Sequence, residues 1–428
     1  MAGMRTRRAA PYGWTPLGLL ILVALVDQLE SNITAGVLPL VQADLGFSDA
    51  AAGALPAVSA VAAILVALPA GYAADRVGRV RLIAVVVGVW SVLTLGSALA
   101  VGFAMLCATR AVLGLATSVE DPATASLLAD YYPPHSRAQA YGYHRMAFFV
   151  GGSLGLVIGG VVGEAIGWRG AYLLAALPGL LVATACWRLV EPRRGQLDRA
   201  AGAPEQVPPH AGLRPFLGQL RELLRNPSIR HVYLGLTVLF LGAEGFGFWQ
   251  VSYYVRTFDL GTSTAAALTP VVDLVGVVAG TILGARLGDR WTGSVPGARI
   301  LVGGGGLLAG SILLGAGLLV PALVPQLLVF TVATALMATA IPNLNAAVAD
   351  LQPATGRGAG FGVLTILATL GAAAGPPLVG TTSGITGSLA IGFGAMAGVM
   401  VAGSLVLLTA RAGYDRDVER ARTASAAP

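Results

Sequence analysis

Residues 71–81 read Gly71-Tyr72-Ala73-Ala74-Asp75-Arg76-Val77-Gly78-Arg79-Val80-Arg81. This short, charged, glycine-bearing stretch is wedged between two long apolar runs, near 51–74 and 81–102. The same alternation recurs along all 428 residues: the chain is 55% hydrophobic and 11% charged, with a mean hydropathy of +0.75. A soluble domain is about 25% charged. Apolar runs of this length and number place the chain among proteins that cross the membrane many times. The first apolar run is span-length and lacks an A-x-A-like site, so no cleavable signal peptide is expected. Cys107 and Cys186 fall within predicted spans and read as small buried hydrophobes, not a disulfide.

The net charge of +6 comes entirely from Arg on the basic side, since the chain has no Lys. The arginines gather in alternate loops. Arg5, Arg7 and Arg8 precede the first span, and Arg76, Arg79 and Arg81 follow the second. Arg193, Arg194, Arg199, Arg214, Arg221 and Arg225 lie in the middle. Arg286, Arg290 and Arg299 follow span 8, and Arg411, Arg416, Arg420 and Arg422 follow the last. The opposite loops hold little beyond Arg169 and Arg256. The positive-inside rule then puts both termini in the cytoplasm and requires an even number of spans. A basic nucleic-acid face is excluded by the same distribution.

Spans are predicted near 14–41, 51–74, 81–102, 104–131, 137–165 and 168–190, then near 229–256, 264–288, 297–320, 324–349, 355–380 and 387–410. Each is long enough for a helix to cross, and helices are the open-chain solution in lipid. The expected fold is an all-α membrane protein of twelve helices in two pseudo-symmetric six-helix bundles, 1–190 and 229–428, the second followed by a cytoplasmic tail. Between them, 191–228 turns polar, with Pro204, Pro208 and Pro209. Leu and Arg then alternate at helical spacing from Leu213 to Arg225, as in an amphipathic helix on the inner leaflet; the Pro-rich part also reads as a solvated connector. The halves overlay at a shift of 220 residues: Pro122 meets Pro342, Asp130 meets Asp350, and Arg137 meets Arg357. Gly151, Gly155 and Gly160 meet Gly371, Gly375 and Gly380. Ala285–Arg290 is a degraded copy of the opening stretch.

The opening stretch resembles the loop between helices 2 and 3 of the major facilitator superfamily, G-x-x-x-D-R-x-G-R-x-R, with Gly71, Asp75, Arg76, Gly78, Arg79 and Arg81 at its positions. The resemblance implies two six-helix halves in parallel repeat, substrate held near mid-membrane between them, and alternating access by rocking. It also implies a gating role for Asp75 and Arg76, with Asp75 near a helix N-terminus of the other half. Arg79 and Arg81 read equally well as positive-inside anchors.

Ionisable residues inside spans are costly and become functional candidates. Span 1 holds Asp27 and Glu30 at i, i+3 on one face. Span 4 holds Arg110, Glu120 and Asp121; span 7 holds Glu244 and span 8 Asp273. In the superfamily, spans 1, 4 and 7 line the cavity. Close carboxylates repel and burial disfavours their charged forms, which suits a proton carrier. Glu30 is the main candidate, modulated by Arg110, with Asp27 and Glu120 secondary; the competing reading is a structural ion pair between spans 1 and 4. Asp121 can simply cap a kink at Pro122, and Asp273 can be solvated in the cavity. In span 5, His144 and Arg145 suit an anionic head group or interfacial snorkelling. The aromatic neighbours Tyr141, Tyr143, Phe148 and Phe149, with Phe246, Phe248, Trp249, Tyr253 and Tyr254 in span 7, suit an amphipathic substrate or an interfacial belt.

The stretch from Glu30 through Ala35-Gly36-Val37-Leu38-Pro39 is similar to the Spinster-type lysolipid transporters, which carry an acid five positions before A-G-V-L-P. Arg110, Gly114 and Ala129-Asp130 extend the likeness, which covers mainly 27–160. It implies a lysophospholipid or related amphiphile as substrate; the intramembrane carboxylates above suggest protons as the coupled ion. Two positions depart from the family: its span 4 acid is Thr117 here, with Glu120 one turn further on, and its usual Arg after the span 1 acid is Ser31.

A proton-driven drug or metabolite exporter is the alternative. Such antiporters share G-P-x-x-G-G in span 5, where this chain has Gly155-Leu156-Val157-Ile158-Gly159-Gly160. An uncoupled lipid conduit or transporter-like receptor is a third reading. The chain shows no Walker A loop, metal cluster or nucleophile elbow, so neither an enzyme nor a cofactor is expected. The absence of Lys and heavy use of Ala, Gly, Arg and Val suggest a GC-rich bacterium and its inner membrane. A monomer is expected.

Overall fold

In the computed structural model the described residues are 11–74, 77–193, 197, 225–352 and 357–426. Asp75, Arg76, most of the middle segment and its Leu213–Arg225 amphipathic stretch lie outside them, apart from Arg225 itself. The described chain is helical throughout. The helices are α1 Thr15–Leu45, α2 Asp49–Ala74, α3 Arg79–Ala98, α4 Phe103–Tyr131, α5 Pro134–Ile166, α6 Trp168–Cys186 and α7 Pro227–Phe258. They continue as α8 Thr262–Trp291, α9 Ala298–Gly317, α10 Leu323–Ala338, α11 Ala340–Asp350, α12 Arg357–Thr386, α13 Leu389–Thr409 and α14 Arg411–Ala426. With α10 and α11 counted as one interrupted span, 12 segments are long and apolar enough to cross a membrane.

Local sequence sets the helix ends. Gly46 takes a left-handed conformation (φ 67°) and returns its N–H to the Gln42 carbonyl at 2.9 Å, so α1 runs past the apolar stretch before it stops. Gly167 (φ 87°) makes the sharp turn between α5 and α6. The tenth span breaks at Thr339, three residues before Pro342. Pro342 offers no N–H to Ala338, and the Asn343 amide donates to the carbonyls of Thr339 (2.9 Å) and Gly284 (2.8 Å). The tail after span 12 is a further helix, α14, where only a tail was expected.

The chain divides into two compact units, the first Met1–Phe47, Val58–Pro208 and Tyr254–Ala267, the second Ser48–Ala57, Pro209–Tyr253 and Leu268–Pro428. In the first, α1 packs on α5 and α6, and α3 packs on α4 and α6. Its core joins Leu20, Val87, Trp90, Leu127, Tyr131 and Cys186. A Cβ at Gly155 would stand 3.0 Å from Leu29 Cα, so glycine there lets α1 and α5 nearly touch, the usual solution where lipid gives helices no hydrophobic reason to pack. In the second unit Gly375 meets the Leu241 carbonyl of α7 in the same way. Phe246, Tyr253, Phe330 and Phe393 pack around one another there, with centroids 5.1–6.2 Å apart.

Candidate functional site

Glu30 sits in the interior of the first unit, 1% exposed. Its carboxylate accepts hydrogen bonds from Ser91 Oγ at 3.2 Å and from the Thr94 hydroxyl, both on α3. Arg110 of α4 is 3% exposed and lies beside the Glu30 main chain. It does not take the carboxylate: Nη1 donates to the Glu30 main-chain carbonyl (3.5 Å) and to Thr34 Oγ1 (3.3 Å), and Nη2 donates to Ser97 Oγ (2.7 Å). The guanidinium lies 5.4 Å from the centre of the Tyr172 ring, whose hydroxyl is 2.9 Å from Thr34 Oγ1. Among the described residues Arg110 Nε has no partner. The carboxylate–guanidinium ion pair weighed for spans 1 and 4 is not formed between Glu30 and Arg110 among the described residues.

Asp27 is buried and accepts from the Gln28 amide at 2.9 Å. Glu120 is buried as well, bonded by the Thr124 hydroxyl one turn on. Asp27 interacts electrostatically with Glu30, Glu120 and Asp121, so the acids of spans 1 and 4 form one connected group. Thr117 is half-buried and spends its hydroxyl on the Gly114 carbonyl at 3.2 Å.

Toward the other end of α4, a cavity of about 470 Å³ opens between α4 and α5, lined by Asp121, Tyr141, His144 and Arg145 among others. Tyr141 donates to the Ala125 carbonyl at 2.6 Å. His144 is 6% exposed, with Nε2 unpaired among the described residues; burial in this cavity replaces the interfacial snorkelling weighed for it. Arg145 is exposed and stacks over Phe148 at 4.7 Å, while His144 meets the same ring at 5.5 Å.

The second unit holds the span 7 candidates up to Tyr253, and Tyr254 falls in the first. Glu244 is exposed and Phe248 half-buried. Trp249 is fully buried and donates to the Pro376 carbonyl at 2.9 Å, so it belongs to packing in place of the substrate surface expected for it. Phe246, Tyr253 and Tyr254 are likewise buried, which removes the belt reading for these three.

Of the opening stretch, Gly71 lies in the last turn of α2, Gly78 caps α3, and Asp75 and Arg76 lie outside the described residues. Arg79 is 1% exposed and ion-paired with Asp130. It also donates to Glu191 Oε1 (2.9 Å), Ser126 Oγ (2.7 Å) and the Pro192 carbonyl (3.0 Å). Glu191 Oε2 accepts the Val80 N–H at 2.8 Å, placing negative charge at the α3 N-terminus, where the helix dipole favours it.

Sequence reasoning missed Ser91, Thr94 and Ser97 as partners of Glu30 and Arg110. Their signal is a polar i, i+3, i+6 row in an apolar span, which marks one helix face.

A family model described as the Major Facilitator Superfamily matches residues 20–314. Protein spinster homolog 3 of Danio rerio is 26% identical over 314 residues, 69% of this chain and 61% of that protein. The chain thus spans about three fifths of that relative's length. The gallate transporter of Pseudomonas putida is 26% identical over 302 residues, 65% of this chain and 66% of that one. A crystal structure of a bacterial homolog to the human lysosomal transporter Spinster, inward-facing and unoccupied, is similar in fold. Its TM-score is 0.79 at 23% identity, over 95% of this chain and 96% of that one. With twelve span-length apolar helices and a model match over most of its length, the chain belongs to the Major Facilitator Superfamily, a family of membrane transporters.

Proposed function

We propose that this protein is a proton-coupled secondary transporter of lysophospholipids or related amphiphiles, working by alternating access, with Glu30 as the proton carrier. The observation that supports it is the setting of Glu30. It is buried, and its oxygens are met by the hydroxyls of Ser91 and Thr94 in place of a cation. Such a carboxylate exchanges a proton without breaking an ion pair, and an intramembrane acid of this kind is a default relay group. Arg110 holds the Glu30 main chain and keeps one N–H in reserve. Asp27 and Glu120 extend the relay, Asp75 and Arg76 gate, and Arg79 anchors the gating loop. Similarity to spinster relatives favours the lipid substrate. The chain is proposed to act as a monomer in a bacterial inner membrane, with both termini and the 191–228 linker cytoplasmic.

A second reading, a proton-driven exporter of small metabolites, is favoured by the similarity to a gallate transporter; there the spare Arg110 N–H would meet a carboxylate substrate. One experiment separates them: binding of lysophospholipids and of gallate to purified wild type and Glu30→Gln, between about pH 5 and 8. Saturable lysolipid binding whose pH dependence disappears in Glu30→Gln is the expected result. Gallate binding without lysolipid binding supports the second reading. Lysolipid binding that is pH-independent in both proteins removes Glu30 as the coupling residue.

A further inference from the structure

The cavity between α4 and α5 brings opposite charges to facing helices. Asp121 comes from α4 and Arg145 from α5, both exposed and neither ion-paired among the described residues. His144, beside them, is buried with a free Nε2. Asp121 and His144 each stand ten residues from the α4–α5 turn at Tyr131 and Pro134, roughly 15 Å along their helices. Unpaired charges at such depth in a membrane-spanning chain are costly and mark substrate paths, and an orphaned buried nitrogen calls for a partner. A cavity of about 470 Å³ falls in the size range of small-ligand sites.

We propose that this cavity is a head-group site for a zwitterionic amphiphile, Asp121 receiving its cationic group and His144 with Arg145 its anionic group. The proposal rests on the transport reading above and names the chemistry its substrate must carry. Arg145 is held over Phe148 and His144 against the same ring, so the anion-binding pair is set before ligand arrives. The Tyr141 hydroxyl is committed to the Ala125 carbonyl and is not a ligand group. A ligand with only a phosphate leaves Asp121 unsatisfied and faces its repulsion; one with only an ammonium leaves Arg145 and His144 unsatisfied. A ligand carrying both completes the site. Asp121 also interacts electrostatically with Asp27, which interacts with Glu30. A cationic group arriving at Asp121 is therefore felt by the acids that carry the proton.

The test uses the full-length protein in detergent and three probes of one chain length: lysophosphatidylcholine, lysophosphatidic acid and an alkyltrimethylammonium. Wild type is expected to prefer lysophosphatidylcholine over each of the others by about tenfold, equivalent to ~1.4 kcal/mol. Asp121→Asn should bring lysophosphatidylcholine and lysophosphatidic acid to parity, and Arg145→Gln should bring lysophosphatidylcholine and the ammonium to parity. Gly142 faces open space, with nothing within 4 Å of a Cβ built there. Gly142→Leu should therefore keep the wild-type melting temperature while weakening all three probes by about tenfold or more, about 1.4 kcal/mol. Unchanged ranking in both charge variants, or wild-type binding by Gly142→Leu, overturns the head-group site and leaves the lysolipid reading standing. Binding of no lysolipid by wild type overturns both.

Discussion

Two glycines of α5, thirteen residues apart, should respond oppositely to alanine. At Gly155 a new Cβ would lie 3.0 Å from both Leu29 Cα and the Leu29 carbonyl carbon, and closer still to its oxygen. Carbon atoms rest about 3.5–4.0 Å apart, so α1 and α5 must separate by roughly 0.5–1 Å. Overpacking of this kind costs about 1–3 kcal/mol. At Gly142 nothing lies within 4 Å, and alanine there brings only the helical gain of about 0.5–1 kcal/mol over glycine. Because both variants share that gain, the difference between them isolates the packing term of about 1–3 kcal/mol. In thermal unfolding under one detergent, with about 2–4 °C per kcal/mol as the upper bound at this size, Gly155→Ala should melt several degrees below Gly142→Ala. Leu29 immediately precedes Glu30, so Gly155→Ala should also disturb the Ser91 and Thr94 bonds and blunt any pH dependence of binding. Equal melting temperatures, or a Gly155→Ala variant more stable than Gly142→Ala, would refute the close-contact account of α1–α5 packing.

Breaking the buried Arg79–Asp130 pair on one side should cost about 3–5 kcal/mol by stranding a charge, read as lost folded yield of Arg79→Ala. The double variant Arg79→Ala/Asp130→Ala should recover part of it. Tyr414 offers a pH test outside the spans. Burial, with the Asp350 carboxylate beside it, holds its hydroxyl above the ordinary tyrosine range. The folded state thus favours the neutral phenol, so its contribution is full below about pH 10 and lost as pH rises further. Tyr414→Phe should flatten that alkaline loss of stability, and an unchanged alkaline limb would count against the assignment.

What the sequence made legible follows from which physical signals are local. Length and hydropathy are local, and they located twelve spans; Glu30 stood out because a carboxylate in an apolar run has few innocent explanations. Its partners did not, because Ser and Thr pass unnoticed in membrane helices, where their hydroxyls bond the preceding turn, as Thr117 and Ser118 do here. Trp249 misled for a related reason: an aromatic in span 7 says nothing about which face it occupies. Proline was ambiguous too. Pro122 and Pro342 occupy matching repeat positions, yet α4 continues through Pro122 while the tenth span breaks at Thr339. Nothing in the residue itself distinguishes them; the difference lies in Asn343, which takes up the Thr339 carbonyl and ties it toward α8.

The repeat sets the one element that hydropathy did not suggest beside a duplicated ion pair. Shifting Arg79 and Asp130 by 220 residues gives Arg299 and Asp350, which form an ion pair at 2.8 Å whose geometry is not that of a hydrogen bond. In the first unit the Pro192 carbonyl takes one Arg79 N–H, and Glu191, beyond the sixth span, bridges the pair to the start of α3. One oxygen takes Arg79, and the other takes the Val80 N–H at the start of α3. The second unit has no carboxylate at the matching position, which is Arg411. Neighbours on α14 reach the same region with different contacts, one to the acid of the pair and one to the helix start. Tyr414 donates to Asp350 at 3.1 Å, and Asp415 accepts the Gly297 N–H at the start of α9, 2.9 Å away. Ser228 of α7 adds a bond to Asp417 at 2.6 Å. Tyr414, Asp415 and Asp417 lie within about one turn of α14, and the helix holds their spacing fixed. The charged tail is thus tied to Asp350 and to the start of α9, long-range contacts that no window of the tail's own sequence expresses.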